Sequence, residues 1–81
     1  MFNFSANNLF LLKRQPYDKA TILIFKDHHT NRTYKLYDYT HSFDFQANVP
    51  YAISGKINSA NQTLYLIIET AKIDRKHVQP V

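Results

Sequence analysis

The sequence predicts an all-β chain: a small five-stranded barrel with little or no helix. Three observations carry that prediction. Five segments of strand length are rich in β-branched and aromatic residues, and none of the longer ones shows a helical period. The single glycine, Gly55, falls inside a strand-like segment, so the seven asparagines, which also tolerate positive φ, are left to make the turns. A chain of 81 residues forms one domain with one modest core.

The first segment, 8–14, holds Leu9-Phe-Leu-Leu12 and runs into Lys13-Arg14-Gln15-Pro16. A strand fits it. A short helix capped by Ser5 and stopped before Pro16 is the alternative, opposed by Asn7 and Asn8, which are poor helix formers. The second segment, 20–27, is apolar on both faces in its middle (Ile22 to Phe25), which suits a central strand. His28-His-Thr-Asn31 makes a four-residue turn into the third segment, 32–40.

A connector, 41–49, follows. It carries Phe43 and Phe45 among polar residues and must cover something apolar, because each exposed ring forgoes ~1.5–3 kcal/mol of burial. Pro50 opens the fourth segment, 50–58, where no ladder donor is needed. Val49, Tyr51, Ile53, Gly55 and Ile57 alternate on one face, and a glycine at such a position marks a bulge or a sharp bend. Residues 58–62 turn the chain, and 63–73 form the last strand. The barrel domain is thus placed at 1–73, with 74–81 as a polar, basic, mobile tail. Five strands with two-sided apolar runs are not covered in one flat sheet, and curling removes the open edges.

Composition narrows the chemistry. With no cysteine, disulfides, thiolate metal sites and Cys nucleophiles are excluded. No apolar stretch approaches the ~20 residues of a membrane-spanning helix. The opening Met-Phe-Asn-Phe-Ser lacks a secretion signal's basic region and long apolar segment, so a cytoplasmic location is expected. His28 and His29 are adjacent, point to opposite faces of an extended chain and have no third ligand at a telling spacing, so they read as a surface turn. The six acidic residues are scattered and no phosphate loop is present, so neither an enzyme nor a cofactor is expected. Asn, Lys, Ile, Tyr and Phe supply 33 of 81 residues; their codons are AT-rich, which points to a low-GC bacterium, its phage or a mobile element.

Ten Lys/Arg against six Asp/Glu leave a net charge of +4, which favours an anionic partner. The most informative stretch is Arg32-Thr-Tyr-Lys-Leu-Tyr-Asp-Tyr-Thr-His41, where rings alternate with cations. Aromatic rings stack unpaired bases, and cations hold the phosphates between them. Lys26, Arg32, Tyr34, Lys35, Tyr37, Tyr39, Lys56 and Lys72 are the candidate nucleic-acid contacts. Tyr37 and Tyr39 share a strand face with Lys35 and read either as surface platforms or as core.

The spacing of the strands and the ending Val49-Pro-Tyr-Ala-Ile-Ser-Gly…Gln62-Thr-Leu-Tyr-Leu-Ile-Ile resemble the small OB-fold single-stranded DNA-binding proteins of phages and mobile elements, over residues 20–73. The resemblance implies a groove across strands 2 and 3, walled by the 1–2 and 4–5 loops. The chain departs from that family where a helix usually joins strands 3 and 4. The expected function is therefore non-enzymatic binding of single-stranded DNA (or RNA) in replication or a mobile element. The alternative is an accessory subunit or adaptor that docks on a larger replication protein or pairs as a homodimer. Its motive is the apolar excess at Phe2, Phe4, Phe10, Leu9–Leu12 and Ile22–Phe25.

Overall fold

A computed structural model describes residues 2–74. Five strands, β1 (Phe2–Tyr17), β2 (Ala20–Asp27), β3 (Arg32–Asp38), β4 (Tyr51–Ala60) and β5 (Thr63–Ile73), form one ring-like sheet of order β1-β2-β3-β5-β4. This is the small all-β, five-stranded, barrel-like sheet read from the sequence, and no helix occurs among the described residues. The first segment is a strand of 16 residues, more than twice the seven of the expected segment 8–14. Its N-terminal half pairs with β4 (Phe2 opposite Ile57) and its C-terminal half with β2 (Tyr17 opposite Ala20). Both polar flanks are recruited because each finds a ladder partner. The change of partner is made at Asn8, whose φ of 58° excludes a regular helix through this point.

Asparagine does supply the turns. Asn31, Asn48 and Asn61 sit in turns and, with Asn8 inside β1, are four of the seven non-glycine residues with positive φ among the described residues. Gly55 instead serves the expected strand bend. The β4–β5 register shifts between Ser54 and Gly55. A Cβ there would collide with the backbone carbonyl of Ile67 and come within 2.9 Å of the Phe4 ring.

The core lies inside the ring, with Leu9, Leu23, Phe25, Leu36, Ile53 and Ile68 almost fully buried. The connector closes one end. Phe45 is buried, its ring edge-on to Phe25 (centroids 5.1 Å apart) and to Tyr51 (4.9 Å), while Phe43 stacks on its outer side at 5.5 Å. Arg14 donates to the Phe45 carbonyl at 2.6 Å, and the Gln46 amide donates to the Tyr51 hydroxyl at 2.8 Å. A plug of aromatic rings thus fills the connector between β3 and β4.

β3 ends at Asp38, two residues earlier than the spacing predicts. The buried Asp38 carboxylate accepts from the Thr40 amide (3.1 Å), the Thr40 hydroxyl (2.9 Å) and the His41 amide (3.1 Å), which turns the chain out of the ladder. Asp38→Ala strands these donors, each costing ~1–3 kcal/mol when left unsatisfied and buried. Allowing for water reaching the partly exposed partners, the loss should be about 2–3 kcal/mol in urea unfolding; a change below about 0.5 kcal/mol would contradict this account.

Asp74 corrects the domain boundary. The sequence assigns it to the tail, yet it is buried, donates its amide to the Pro50 carbonyl at 2.9 Å and accepts from the Asn8 amide at 3.0 Å. The carboxylate satisfies the amide left over where β1 changes partner. The remainder of the expected tail, 75–81, lies outside the described residues.

Candidate nucleic-acid interface

Alternation along paired strands sorts the side chains into inner and outer faces. Phe25 and Leu23 point inward, so Ile22, Ile24 and Lys26 of β2 point outward, and the register continues that face across neighbouring strands. One row across the outer face reads Lys13, Ile24, Lys35. The next reads Gln15, Ile22, Tyr37, Ile67, Lys56. A third reads Phe10, Lys26, Thr33. The face has an apolar floor with lysines along it. Lys13, Lys26 and Lys35 have no carboxylate within 4 Å among the described residues.

Aromatic rings gather at one end of this face. Tyr37 stands edge-on to Tyr17 (centroids 5.8 Å, 75°) and to Tyr65 (5.2 Å, 73°), which joins β1, β3 and β5. Beside them opens a cleft of about 410 Å³ lined by Tyr17, Tyr39, Tyr65 and Ile67, with Asn58 and Ser59 of the β4–β5 hairpin at its rim. Tyr17 and Tyr39 are each 49% exposed, so each offers ring area to a ligand. The volume falls in the usual range for small-ligand sites, about 300–1,000 Å³. The cleft lies between the Asp18–Lys19 turn and the Asn61–Gln62 turn, beside the outer face of β2 and β3.

No protein-family model, curated protein or solved structure matches this chain.

The structure places the eight sequence-predicted contacts in different surroundings. Lys26 and Lys35 lie on the outer face, and Tyr39 lines the cleft. Tyr37, which the sequence leaves open between surface platform and core, points outward with Lys35 but is 6% exposed because Tyr17 and Tyr65 cover it. Its ring packs beneath theirs. Tyr34 points inward and packs against the core, so its ring is not part of the outer surface. Arg32 starts β3 opposite Asp27, at the exposed turn end. Lys56 is held by Glu69 at 3.3 Å, a half-exposed pair worth about 0–1 kcal/mol. Lys72 pairs with Ala52 and lines a polar groove with Ser5, Asn7 and Thr70, on the flank made by β4 and the first half of β1. It does not join the row of lysines, because the register carries it past Lys56 to a separate surface.

Tyr17, Tyr65 and Lys13 are not among the candidate contacts read from the sequence. Their signal was weak: Tyr17 sits beyond Pro16, outside the apolar run of its strand, and Tyr65 lies in an apolar strand where it reads as core.

Proposed function

We propose that the protein is a non-enzymatic module that binds single-stranded DNA on the outer face of β1, β2, β3 and β5, in DNA replication or in a phage or mobile element. The observation that carries this reading is the convergence of half-exposed Tyr17 and Tyr39, with Tyr65, on one cleft beside Lys13, Lys26 and Lys35. Each ring offers a sequence-tolerant stacking surface, and each lysine neutralises one phosphate. Bases must be unpaired to reach such rings, so a single strand is the preferred form. Among the described residues no carboxylate lies against these lysines, which leaves their charge to the ligand.

The test is fluorescence anisotropy of a labelled oligothymidylate over a salt series. Three phosphate contacts give a slope of about −2 in log K against log salt, from ~0.7 per contact on a single strand. A duplex of equal length should bind more weakly. No binding at low salt, or affinity indifferent to salt, would refute the reading.

A second reading, a docking subunit, has its own observation. Phe2 is 75% exposed and Leu64 69% exposed, both on strands that share the inner face with Phe4 and Leu66. Leu64 precedes the short β3–β5 pairing, and the two exposed side chains leave an apolar surface of the kind that partners cover. A monodisperse monomer at micromolar concentration in light scattering would count against it.

A further inference from the structure

We infer that the stacked rings of Phe10 and His28 form a second base platform, at the far end of the same outer face from the tyrosine cleft. This inference rests on the nucleic-acid reading above and extends the footprint of that site. The two rings lie 4.1 Å apart between centroids, tilted by 24°, in a near-parallel stack. Phe10 is the half-buried lower ring and His28 the exposed upper one, so the outer surface of the imidazole is open to a third planar group.

The platform is preformed. Asp27 holds the turn that carries His28: its carboxylate accepts from the His29 amide at 2.8 Å and the Thr30 amide at 3.4 Å, and its carbonyl accepts from the Asn31 amide at 2.7 Å. Asn31 closes the turn with a φ of 62°. A base would therefore meet an ordered ring, with no loop entropy lost on binding. The charge needed beside it is in place. Phe10 opposes Lys26 across the β1–β2 ladder, and Lys35 and Lys13 occupy the outer row between this stack and the tyrosines. The Asp27 carboxylate, the nearest acid in sequence, is occupied by the turn amides.

The separation of the two platforms sets a length. Tyr17 opposes Ala20 and Phe10 opposes Lys26, so the two rows are six residue steps apart along β2, or about 20 Å at the rise of a strand. At the stacked rise of about 3.4 Å per nucleotide this is at most about six nucleotides, and fewer for a stretched strand. Short oligomers can occupy one platform, whereas longer ones reach both.

The test is a length series of labelled oligothymidylates titrated against the wild type, His28→Ala and His28→Phe. The shortest oligomers that bind should show equal affinity for all three proteins. Those long enough to span the face should bind wild type and His28→Phe about tenfold more tightly than His28→Ala, as expected for one lost stacked base. His28 is an exposed turn residue, so thermal melts of the variants should coincide with the wild type. Equal affinity of wild type and His28→Ala at every length, with long oligomers still bound, would overturn the second platform alone. A uniform loss at all lengths, or failure of His28→Phe to restore affinity, would also overturn it. No binding by the wild type at any length would overturn this platform together with the site it extends.

Discussion

Gly55→Val should destabilise the barrel by about 3 kcal/mol or more, at or beyond the upper end of ordinary overpacking. Even the Cβ of alanine would collide with the Ile67 carbonyl and press within 2.9 Å of the Phe4 ring. The colliding carbonyl is backbone, in a strand paired across the bulge, and has no rotamer by which to withdraw. Gly55 also sits between two ladders, opposite Phe4 in β1 and Ile68 in β5, so relieving the contact on one side strains the other. Against a total stability of ~4–12 kcal/mol for a chain of this length, 3 kcal/mol is a large share. The melting temperature should fall by roughly 12–24 °C, at 4–8 °C per kcal/mol for a small domain. Far-UV circular dichroism melts of Gly55→Ala and Gly55→Val would measure this. A fall of less than about 4 °C for the valine variant would mean that the sheet bends there without needing the missing side chain.

The largest effect on binding should come from Tyr17→Ala combined with Tyr39→Ala. Each ring contributes ~1–3 kcal/mol per stacked base, so the pair should cost about 2–6 kcal/mol, at least ~30-fold in affinity. Both rings are half exposed, so the melting temperature should fall far less than for a core truncation. Tyr37→Ala is the instructive contrast. Its buried ring supports both Tyr17 and Tyr65, so stability and binding should fall together. Anisotropy and thermal melts on the same samples separate the two behaviours. Unchanged affinity in the double variant, with the fold intact, would remove the tyrosine cleft from the binding surface.

Where the sequence was legible, one local rule decided the outcome. β2 and β5 match their expected spans because apolar, β-branched runs bounded by turn residues leave little choice. The four-residue turn between β2 and β3, the glycine bend and the apolar duty of the connector were legible for the same reason: each is a demand made by a few neighbouring residues. β1 was not, because half its length owes its conformation to β4, which lies some fifty residues further on. Nor was Asp74, whose carboxylate looks like tail until the unpaired amide of Asn8 is seen to need it.

The binding surface shows the same division. Alternation correctly puts Tyr37 on one face with Lys35, but says nothing of the rings from β1 and β5 that bury it. It also leaves open which face of β3 looks inward, and thereby Tyr34. Side-chain direction is a local property, whereas exposure depends on what distant strands bring alongside.

The ring of strands is closed on one side by only two residue pairs, Leu36 with Leu66 and Tyr37 with Ile67, where β3 runs parallel to β5. Every other junction has at least six. This is the line along which the cylinder should open first, and amides flanking it should exchange with solvent ahead of those in the antiparallel ladders. The Tyr37–Tyr65 contact crosses that line. A strand of bases lying over those rings would act as a clasp on it, so occupancy would be felt as slower breathing of the whole barrel, without any change of shape.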